Sequence, residues 1–479
     1  MDTAGTTADS PAADEAAAPG RPTPSADRPS IVVFLMDDMR YDDMAASMPT
    51  VMARIVGRGT EFVSNYCATP LCAPSRAMLL RGQYPHHTGV IGNDDPYGGR
   101  AMKRIDDETL GVWLQRAGYH TTFIGKYING YAYPGAGYRQ TYVPPGWNTW
   151  RAACERTYHY TDTVINHNGN ISNPEGEYTT ALYGRYALEA LESRLGSARP
   201  FYLQVNFVAP HSGPPRNPGD DPDWGKLAMT YVPPRWRGTY NGPTRPRNPA
   251  FDESDVSDKP CLRRPRLSAD RKAFIDAATQ HRRDSLFAAD AQIGRCINAI
   301  KAAGRLGSTA IIFTSDNGYM SGEHRIHRGK ASHYQPASHV PLVIRAPGFP
   351  VGREPALCGI QDLAPTALEM AHALTGPGAV SRGGVKLDGR PLQRVVDQPD
   401  DKRPAIPLEV TDERGRYVIR GCVSADNWKY VELAKGGKCV ELYDLTKDPY
   451  EVNNLAGADD LRPRRAEMRA LTRALGVPD

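Results

Sequence analysis

The sequence has no long hydrophobic segment. Its longest uninterrupted apolar runs, such as Ile31–Met36, contain about six residues, whereas a helix that crosses a bilayer needs about 20. The start of the chain also lacks the basic residues and apolar stretch that mark a signal peptide. We therefore predict no membrane span, and no signal peptide in the chain as given.

No charge of one sign dominates, and no internal repeat is evident. The formal net charge is +4 over 479 residues, with 40% hydrophobic and 23% charged residues, which is ordinary for a globular protein. Residues 1–28 carry a net charge of −3, so the remainder carries +7. A mildly basic body is compatible with an anionic substrate, and equally with a solvated surface of mixed charge. We expect no nucleic-acid partner.

Cysteine is scarce, with eight residues in the chain. The spacing is compatible with a bridge between Cys67 and Cys72, or with one between Cys422 and Cys439 in an oxidising compartment. Spacing alone does not decide the pairing. If Cys72 takes part in chemistry, seven cysteines remain, and at least one of them is unpaired.

Apolar runs that resemble strands alternate with helical stretches through the first three quarters of the chain. This alternation predicts an α/β fold with a large, mostly parallel or mixed central sheet flanked by helices. The predicted strands are 31–36, 121–124, 201–208, 309–314 and 340–345. The predicted helices are 49–57, 110–118, 179–195, 270–303 and 362–374.

Changes in composition divide the chain into three parts. Residues 1–28 are rich in Ala, Pro, Thr, Ser and Asp, which predicts a disordered leader or linker. Residues 29–400 form the main domain, with a long Pro- and Arg-rich insertion loop at about 212–268. Residues 401–479 are predicted to form a smaller C-terminal α+β subdomain with an antiparallel sheet. Its predicted elements are the strands 417–420, 428–433 and 440–444 and a terminal helix near 460–474.

A short helix is predicted to begin at Cys72. The segment Cys-Ala-Pro-Ser-Arg from Cys72 to Arg76 places Pro74 in the first turn, and Gly82 is a typical helix end. The free N–H groups at a helix start favour an anion, and Arg76 adds a positive charge one turn later. This pattern indicates a reactive group on a surface that accepts anions.

Acidic residues follow two of the predicted strands. Asp37 and Asp38 come after the run 31–36, and Asp316 and Asn317 come after the run 309–315. Ligands of open α/β sheets bind outside the carboxyl ends of the strands, so both pairs belong at one rim. Three carboxylates and an amide oxygen suit Ca²⁺ or Mg²⁺ rather than zinc, and a bound cation removes their mutual repulsion.

With these motifs in one chain, the sequence resembles a sulfatase of the alkaline phosphatase superfamily, of the formylglycine-dependent type I. The resemblance runs in unbroken order from about residue 29 to residue 460. The matching segments are Asp37-Asp38, Cys72–Arg76, Gly125-Lys126-Tyr127, Ala209-Pro210-His211, Asp316-Asn317-Gly318, Lys330 before Pro341–Arg345, and Glu441 to Leu455.

The resemblance implies a set of site residues. A generating enzyme would oxidise Cys72 to formylglycine (3-oxoalanine), which with Asp37, Asp38, Asp316 and Asn317 would hold Ca²⁺, or Mg²⁺ in its place. The formylglycine hydrate would attack the sulfate ester and form a sulfo-enzyme intermediate. In this scheme the three cations Arg76, Lys126 and Lys330 stabilise the transferring group, and His211 or Lys330 protonates the leaving alkoxide.

Within the family, the chain resembles the N-acetylglucosamine-6-sulfatase branch at Gln83–His87, Gly125–Tyr131, Pro145–Trp147 and Asp316–Tyr319. This predicts hydrolysis of O-sulfate esters on carbohydrates of the glucosamine-6-O-sulfate kind, or on aryl sulfates. The chain departs from many sulfatases at Ile128, where they have a histidine, and at Gln335, where an acid is common. Asn129, His86 and His87 are further candidates for contacts with the substrate.

Two other functions are compatible with the sequence. One is a phosphonate monoester or phosphodiester hydrolase of the same superfamily. The other is a non-catalytic protein that binds sulfated glycans and keeps Cys72 as a thiol. The family is usually exported or lysosomal, so a secreted or extracytoplasmic location is favoured, although a cytoplasmic chain is compatible with the sequence.

Overall fold

The apolar runs of the sequence form the middle of a large mixed sheet. The computed structural model describes residues 25–224, 229–262, 264–375, 380–381, 384–434 and 439–478. The strands of the main domain are β1 (Ser30–Asp37), β2 (Thr60–Phe62), β3 (Asn65–Tyr66), β4 (His120–Gly125), β5 (Thr149–Glu155), β6 (Val164–His167), β7 (Asn170–Ser172), β8 (Phe201–Pro210), β9 (Thr309–Ser315), β10 (Leu342–Arg345), β11 (Gly352–Glu354), β12 (Cys358–Gly359), β13 (Leu374–Thr375) and β14 (Val380–Ser381). The C-terminal strands are β15 (Ala405–Thr411), β16 (Tyr417–Ser424), β17 (Trp428–Leu433) and β18 (Cys439–Asp444).

Ten of these strands make the central sheet, in the spatial order β11-β2-β10-β9-β1-β8-β4-β5-β6-β7. The strands β9, β1, β8, β4 and β5 run parallel to one another, whereas β10, β6 and β7 are antiparallel to their neighbours on the inner side. The predicted α/β fold is confirmed. The parallel core places the carboxyl ends of five strands on the same rim.

Helices cover both faces of the sheet. They are α1 (Tyr41–Ser47), α2 (Pro49–Arg54), α3 (Cys72–Arg81), α4 (Pro85–Thr88), α5 (Gly99–Lys103), α6 (Leu110–Arg116), α7 (Thr179–Arg194), α8 (Ala269–Ala302), α9 (Gln335–Ser338), α10 (Leu363–Met370), α11 (Leu392–Asp397) and α12 (Arg462–Ala474). None of the described helices is long and apolar enough to cross a membrane.

The central strand β1 shows how the two layers form. Successive side chains of a strand point to opposite faces. Ile31, Val33 and Leu35 enter the core that contains α3, α6 and α10, whereas Val32 and Phe34 enter the core that contains α7 and α8. Because β1 is buried on both faces, it reads as a continuous apolar run rather than as an alternating pattern.

Several predicted bounds differ from the structure. The predicted helix 362–374 is shorter, because α10 spans Leu363–Met370 after a 3₁₀ turn at Ile360–Asp362. The parallel strand β5, the antiparallel strands β6 and β7 and the C-terminal strand β15 were not predicted. These strands have mixed or polar patterns, and pairing with neighbours in space decides their conformation.

The structure also bears on the predicted insertion loop and on the end of the predicted leader. Within its described residues the segment 212–268 contains only short 3₁₀ helices, at Pro222–Trp224 and Pro234–Trp236. Of the predicted leader, residues 1–24 lie outside the described part of the chain. Arg28 is buried and donates to the carbonyl oxygen of Ala371, so ordered structure begins before residue 29.

A four-stranded antiparallel sheet forms the C-terminal part, in the order β15-β16-β17-β18, and α12 packs on it. One disulfide joins Cys439 of this sheet to Cys261 of the insertion loop. Neither of the two bridges that the spacing allowed is formed, because Cys67, Cys72 and Cys422 are buried free thiols. A partner 178 residues away in sequence can only be identified from the tertiary structure.

Candidate active site

One rim of the central sheet gathers charged residues from separate elements. Asp37 and Asp38 lie at the end of β1, and Asp316 and Asn317 follow β9. Lys126 follows β4, His211 follows β8, and Cys72 is the first residue of α3. The parallel strands deliver these side chains to one place because their carboxyl ends share an edge.

The helix α3 begins as the sequence predicted. Leu71 is the N-cap residue in an extended conformation, and Pro74 lies in the first turn. Gly82 ends the helix with a φ of 64°, a conformation that glycine adopts without strain. All residues of α3 are buried, so Cys72 is held at the rim by a packed helix rather than by a loop.

Asp37 connects Cys72 to a buried cation. One carboxylate oxygen of Asp37 accepts a hydrogen bond from the Cys72 thiol at 3.3 Å, and the other accepts one from Lys126 Nζ at 2.6 Å. Burial by itself would raise the pKa of Asp37, but the charge of Lys126, aided by His211 and Arg76, holds it well below its usual value. Asp37 is therefore an anion in a closed environment.

Asp38 is the second anion, and Lys330 links it to Cys72. Lys330 Nζ donates both to Asp38 and to Cys72 Sγ, the latter at 2.7 Å. Asn317 Nδ2 donates to Asp38 at 2.7 Å, and His211 Nε2 lies 3.7 Å from the other carboxylate oxygen. The backbone of Asp38 has a φ of 68°, which turns its side chain into this group.

Arg76, near the start of α3, forms hydrogen bonds that connect the strand ends of the rim. Its Nε donates to Asp316 at 2.7 Å, and its Nη1 donates to the carbonyl oxygen of Lys126 at 2.7 Å. The remaining Asp316 oxygen accepts the backbone N–H groups of Asp38 and Asn317. The ends of β1, β4 and β9 are thereby joined through one guanidinium and one carboxylate.

The thiol of Cys72 is a weak nucleophile in this setting. Burial, followed by the charge of Asp37, raises its pKa to about 12, which outweighs the opposing effect of the two lysines. The reactive form of cysteine is the thiolate, and Cys72 is a protonated thiol near neutral pH. The unmodified thiol is therefore poorly suited to act as a nucleophile.

The four cationic or basic groups differ in their access to solvent. The side chains of Arg76 and Lys126 are each 2% exposed, whereas Lys330 is 14% exposed and His211 is 19% exposed. Burial lowers the pKa of His211 to about 4, although Asp38 and Asp37 oppose this effect. The group thus has a closed inner side and an open side on which Lys330 and His211 lie.

The donor set fits a hard divalent cation. Ligand atoms of Asp37, Asp38, Cys72 and His211 lie within 4.8 Å of one another. The side-chain oxygen of Asn317 is buried and has no hydrogen-bond partner, which is unusual for a polar atom unless a ligand satisfies it. Ca²⁺ and Mg²⁺ are bound in proteins by carboxylate and amide oxygens of this kind. Two features differ from a purely oxygen-based set: His211 also lies within the cluster, and Asp316 accepts a hydrogen bond from Arg76.

Two of the candidate residues lie elsewhere. His86 Nδ1 is 2.9 Å from Glu409 and His87 Nδ1 is 2.7 Å from Asp388. Among the contacts of the described residues, none joins either histidine to the group around Cys72. They were nominated because they lie close in sequence to the other motifs, but α4 places His86 against β15 of the C-terminal sheet and His87 against Asp388 of the main domain.

Tyr158 was not predicted, and it borders the group closely. Its ring stacks on His211 with centroids 4.2 Å apart, and Lys126 Nζ lies 4.7 Å from its centroid. Its hydroxyl accepts a hydrogen bond of 2.9 Å from Asn129 Nδ2. Asn129 thus approaches the site through Tyr158, next to Ile128, where many sulfatases have a histidine. No motif around Tyr158 marks it in the sequence.

Comparison with known proteins agrees with this geometry. A model of the sulfatase family matches residues 29–373. An arylsulfatase of Chlamydomonas reinhardtii is 30% identical, with 94% of this chain and 74% of the relative covered. An N-acetylglucosamine-6-sulfatase of Capra hircus is 27% identical, with 90% of this chain and 81% of the relative covered.

Solved structures share the fold. A protein in complex with its substrate D-glucosamine-2-N,6-O-disulfate superposes with a TM-score of 0.72 at 23% identity, covering 93% of this chain and 97% of the other. A phosphonate monoester hydrolase of Agrobacterium radiobacter superposes with a TM-score of 0.62 at 21% identity, covering 93% and 91%.

Proposed function

The chain belongs to the sulfatase family of sulfuric ester hydrolases, and from that premise we propose that it acts on carbohydrate O-sulfates after Cys72 is oxidised to formylglycine. Glucosamine 6-O-sulfate is the first candidate substrate, and aryl sulfates are the second. The similarity to the N-acetylglucosamine-6-sulfatase of Capra hircus over 90% of this chain supports the choice of sugar.

The observation that carries the proposal is the arrangement around Cys72 Sγ. Lys330 Nζ contacts the sulfur at 2.7 Å, and Lys126 reaches it through the shared acceptor Asp37. Arg76 lies one helical turn further along and is buried. A sulfate group carries its charge on several oxygens, and preorganised cations around it stabilise the transition state of its transfer.

Two groups would complete the active site: a divalent cation and the aldehyde formed from Cys72. Asp37, Asp38, Asp316 and Asn317 would hold Ca²⁺, or Mg²⁺ in its place. The cation and the hydrate of the aldehyde that replaces the thiol would together supply the nucleophile and stabilise the negative charge of the sulfate. Arg76 and Lys126 stay on the closed side and keep the acidic residues and the sulfate oxygens in position.

The leaving group lies on the open side. A sugar alcohol enters from solvent, and Lys330 and His211 are the two basic groups of the site that are partly exposed. Lys330, which is a cation, would therefore donate the proton to the departing alkoxide oxygen, and His211, whose pKa burial lowers to about 4, would do so only in its protonated form. Tyr158 holds the His211 ring by stacking and so limits its orientations.

Mass spectrometry of the peptide that contains Cys72 tests the proposal most directly. The chain, produced together with a formylglycine-generating enzyme, is expected to contain the aldehyde, which has a lower mass than the thiol. Chelation of divalent cations is expected to abolish hydrolysis, and Ca²⁺ to restore it. A peptide that stays entirely in the thiol form under these conditions would indicate the non-catalytic glycan-binding alternative.

A substrate panel separates the remaining alternatives. We expect the oxidised protein to hydrolyse glucosamine 6-O-sulfate and an aryl sulfate faster than an aryl phosphonate monoester. The phosphonate arm is included because a phosphonate monoester hydrolase shares the fold. Faster hydrolysis of the phosphonate ester than of either sulfate would replace the proposed function by that one.

A further inference from the structure

The two faces of the C-terminal sheet have different surroundings. Val431 and Tyr443 point to the face that packs on the main domain. Tyr430 and Leu442 point to the other face, which packs under α12. Side chains alternate along a strand, so a residue two positions from Tyr430 or Leu442 lies on the same side of the sheet as they do. We call the side under α12 the outer face.

A cavity of about 480 Å³ opens between the outer face and α12. Arg420, Glu432 and Val440 are cross-strand neighbours on β16, β17 and β18 and form its floor. From α12 come Arg462, Arg465 and Arg469, at the spacing that places side chains on one side of a helix. This volume is typical of a small-molecule binding pocket.

The lining of this outer-face cavity carries an excess of three positive charges. Four arginines face one carboxylate, that of Glu432. Glu432 accepts from Arg469 Nε at 3.0 Å and from the Tyr430 hydroxyl at 2.7 Å, and Arg420 lies 3.5 Å away. The carboxylate thus orients one guanidinium group from the sheet and one from α12, while it neutralises only one positive charge.

The α12 arginines are available to a ligand to different degrees. Arg462 pairs with Asp459, which is 83% exposed, and its own side chain is 67% exposed. Arg469 is 49% exposed, and Arg465 donates to the carbonyl oxygen of Ala456. Solvated ion pairs of this kind contribute little to stability, so the fold does not require these arginines to be where they are.

We propose that the outer-face cavity binds an anionic sugar unit of a sulfated polysaccharide. Guanidinium groups bind sulfate through paired N–H donors, and the apolar side chains of Val440 and Ala466 offer a surface for the face of a sugar ring. The choice of a sulfated sugar as the anion rests on the proposed function. The cavity lies on the opposite face of the sheet from the loop that carries Lys330, so it is a second site.

Two other ligands fit the cavity less well. A single-stranded nucleic acid needs exposed aromatic rings for stacking, and Tyr430, the aromatic residue of the lining, is 2% exposed. A free inorganic sulfate would fill only part of the volume and would leave the apolar surface uncovered. A sugar unit with a sulfate group uses both the charge and the volume.

Hydrogen–deuterium exchange tests the inference with a heparin hexasaccharide as probe. The Cys72→Ala variant serves as background, so that the probe is not consumed. The probe is expected to slow amide exchange in α12 and β17. In the same background, Arg462→Gln/Arg469→Gln is expected to abolish this protection and to raise the Kd for the probe roughly tenfold.

A matched control removes the same charge elsewhere. Arg414 is exposed in a turn, and Arg464 lies on α12 but pairs with Asp426 and packs on Trp428 outside the cavity. The Arg414→Gln/Arg464→Gln variant is expected to keep the protection and the Kd. Equal loss in both double variants, or protection that persists in the cavity variant, overturns the inference.

Additional measurements test the class of ligand and distinguish failure of this inference from failure of the proposed function. Equal protection by inorganic sulfate, or by a DNA duplex of the same charge, would overturn the assignment to a sulfated sugar. With Cys72 present and oxidised, the cavity variant is expected to hydrolyse an aryl sulfate with unchanged kcat/KM. Failure of every sulfate ester to react would refute the proposed function. The exchange experiment would still show whether the cavity binds the hexasaccharide.

Discussion

At the scale of single residues, position 72 combines deep burial with charged neighbours of both signs. The thiol donates to Asp37 and accepts from Lys330, and its raised pKa keeps it protonated. A nucleophilic cysteine needs the opposite, a lowered pKa and access to the substrate. The geometry therefore suits a residue that acts after modification, in line with the chemistry proposed for the family.

Replacement of Cys72 tests this role. Serine has nearly the same shape, but it offers one hydroxyl and no oxidisable thiol, so we expect Cys72→Ser to lower kcat by at least about a thousandfold. The control is Cys67→Ser, a change at another buried thiol. Steady-state hydrolysis of an aryl sulfate measures both. Normal turnover by Cys72→Ser would contradict the proposed chemistry.

Tyr158 has two separable contacts with the site. Tyr158→Phe keeps the ring between Lys126 and His211 and removes the hydroxyl that accepts from Asn129. We expect a loss in kcat/KM of roughly fivefold for Phe, the value of one hydrogen bond, and of roughly thirtyfold for Ala, which also removes a desolvated cation–π contact. Equal losses in the two variants would show that the ring itself has no role.

Asp106 predicts a pH dependence of stability. Burial raises its pKa from 3.8 to about 6, so the folded protein favours the protonated carboxyl. Its contribution to stability is complete below pH 3.8 and is lost as the pH rises through about 6. We expect Asp106→Asn, which is always neutral, to have a higher Tm than the parent at pH 8 and a similar Tm at pH 4.

The matched control for this change is Asp107→Asn, at the exposed neighbouring position. Thermal unfolding followed by circular dichroism at both pH values measures the effect. A Tm of Asp106→Asn below that of the parent at pH 8 would mean that the hydrogen bond from Tyr142, at 2.8 Å, outweighs the cost of burying the charge.

At the scale of elements, the C-terminal sheet supports the segment that follows Lys330. Lys429 of β17 donates to the carbonyl oxygen of His333 at 2.8 Å and pairs with Glu451 at 2.6 Å, and both side chains of this pair are 0% exposed. Glu451 in turn accepts the backbone N–H of Gln335 at the start of α9. A buried ion pair outside the main domain thus positions the loop that brings Lys330 to Cys72.

Breaking this pair on one side is expected to be costly. Lys429→Met leaves the Glu451 carboxylate buried without its partner, which should lower the free energy of unfolding by about 3–5 kcal/mol. The double variant Lys429→Met/Glu451→Gln should lose less than the sum of the two single changes. Denaturant unfolding of the three variants measures the coupling.

A surface pair provides the comparison. Lys447 is 84% exposed and lies 3.1 Å from Asp444 on the same C-terminal segment, and Lys447→Ala should change stability by about 0.5 kcal/mol or less. Additive effects at Lys429 and Glu451 would mean that the two residues stabilise the fold independently. The aryl sulfatase activity of Lys429→Met is expected to fall with it, because Lys330 loses its support.

At the scale of the whole molecule, covalent and polar contacts join the insertion loop to the C-terminal sheet. The disulfide between Cys261 and Cys439 closes a loop of 178 residues. Beside it, Lys259 donates to the carbonyl oxygen of Val452 at 2.9 Å, and Asn454 donates to Asp258 at 2.7 Å. The insertion is therefore part of the folded body rather than a free appendage.

The disulfide should contribute measurably to stability. Cross-linking so long a segment restricts the unfolded chain, and we expect Cys261→Ser/Cys439→Ser to lower the free energy of unfolding by about 2–5 kcal/mol. Denaturant unfolding with and without reductant measures it. Reductant should destabilise the parent by a similar amount and leave the double variant unchanged, and an unaffected parent would contradict the expectation.

Much of the fold follows from local patterns. The apolar runs of β1, β8 and β9 are long enough to predict buried parallel strands, and the helices α7 and α8 show helical spacing of apolar residues. The ends of β1 and β9 and the start of α3 were located from the same patterns. Residues next to these ends were therefore the ones that the sequence could nominate for the site.

Local sequence is enough to place Asp37-Asp38 and Asp316-Asn317 at the ends of two parallel strands and Cys72 at the start of a helix, because each of these features depends only on neighbours along the chain. Contacts between distant segments set what those residues meet. It placed Tyr158 against Lys126 and His211, directed His86 and His87 away from the site, and bonded Cys261 to Cys439. These outcomes depend on packing between segments far apart in sequence, which no local pattern encodes.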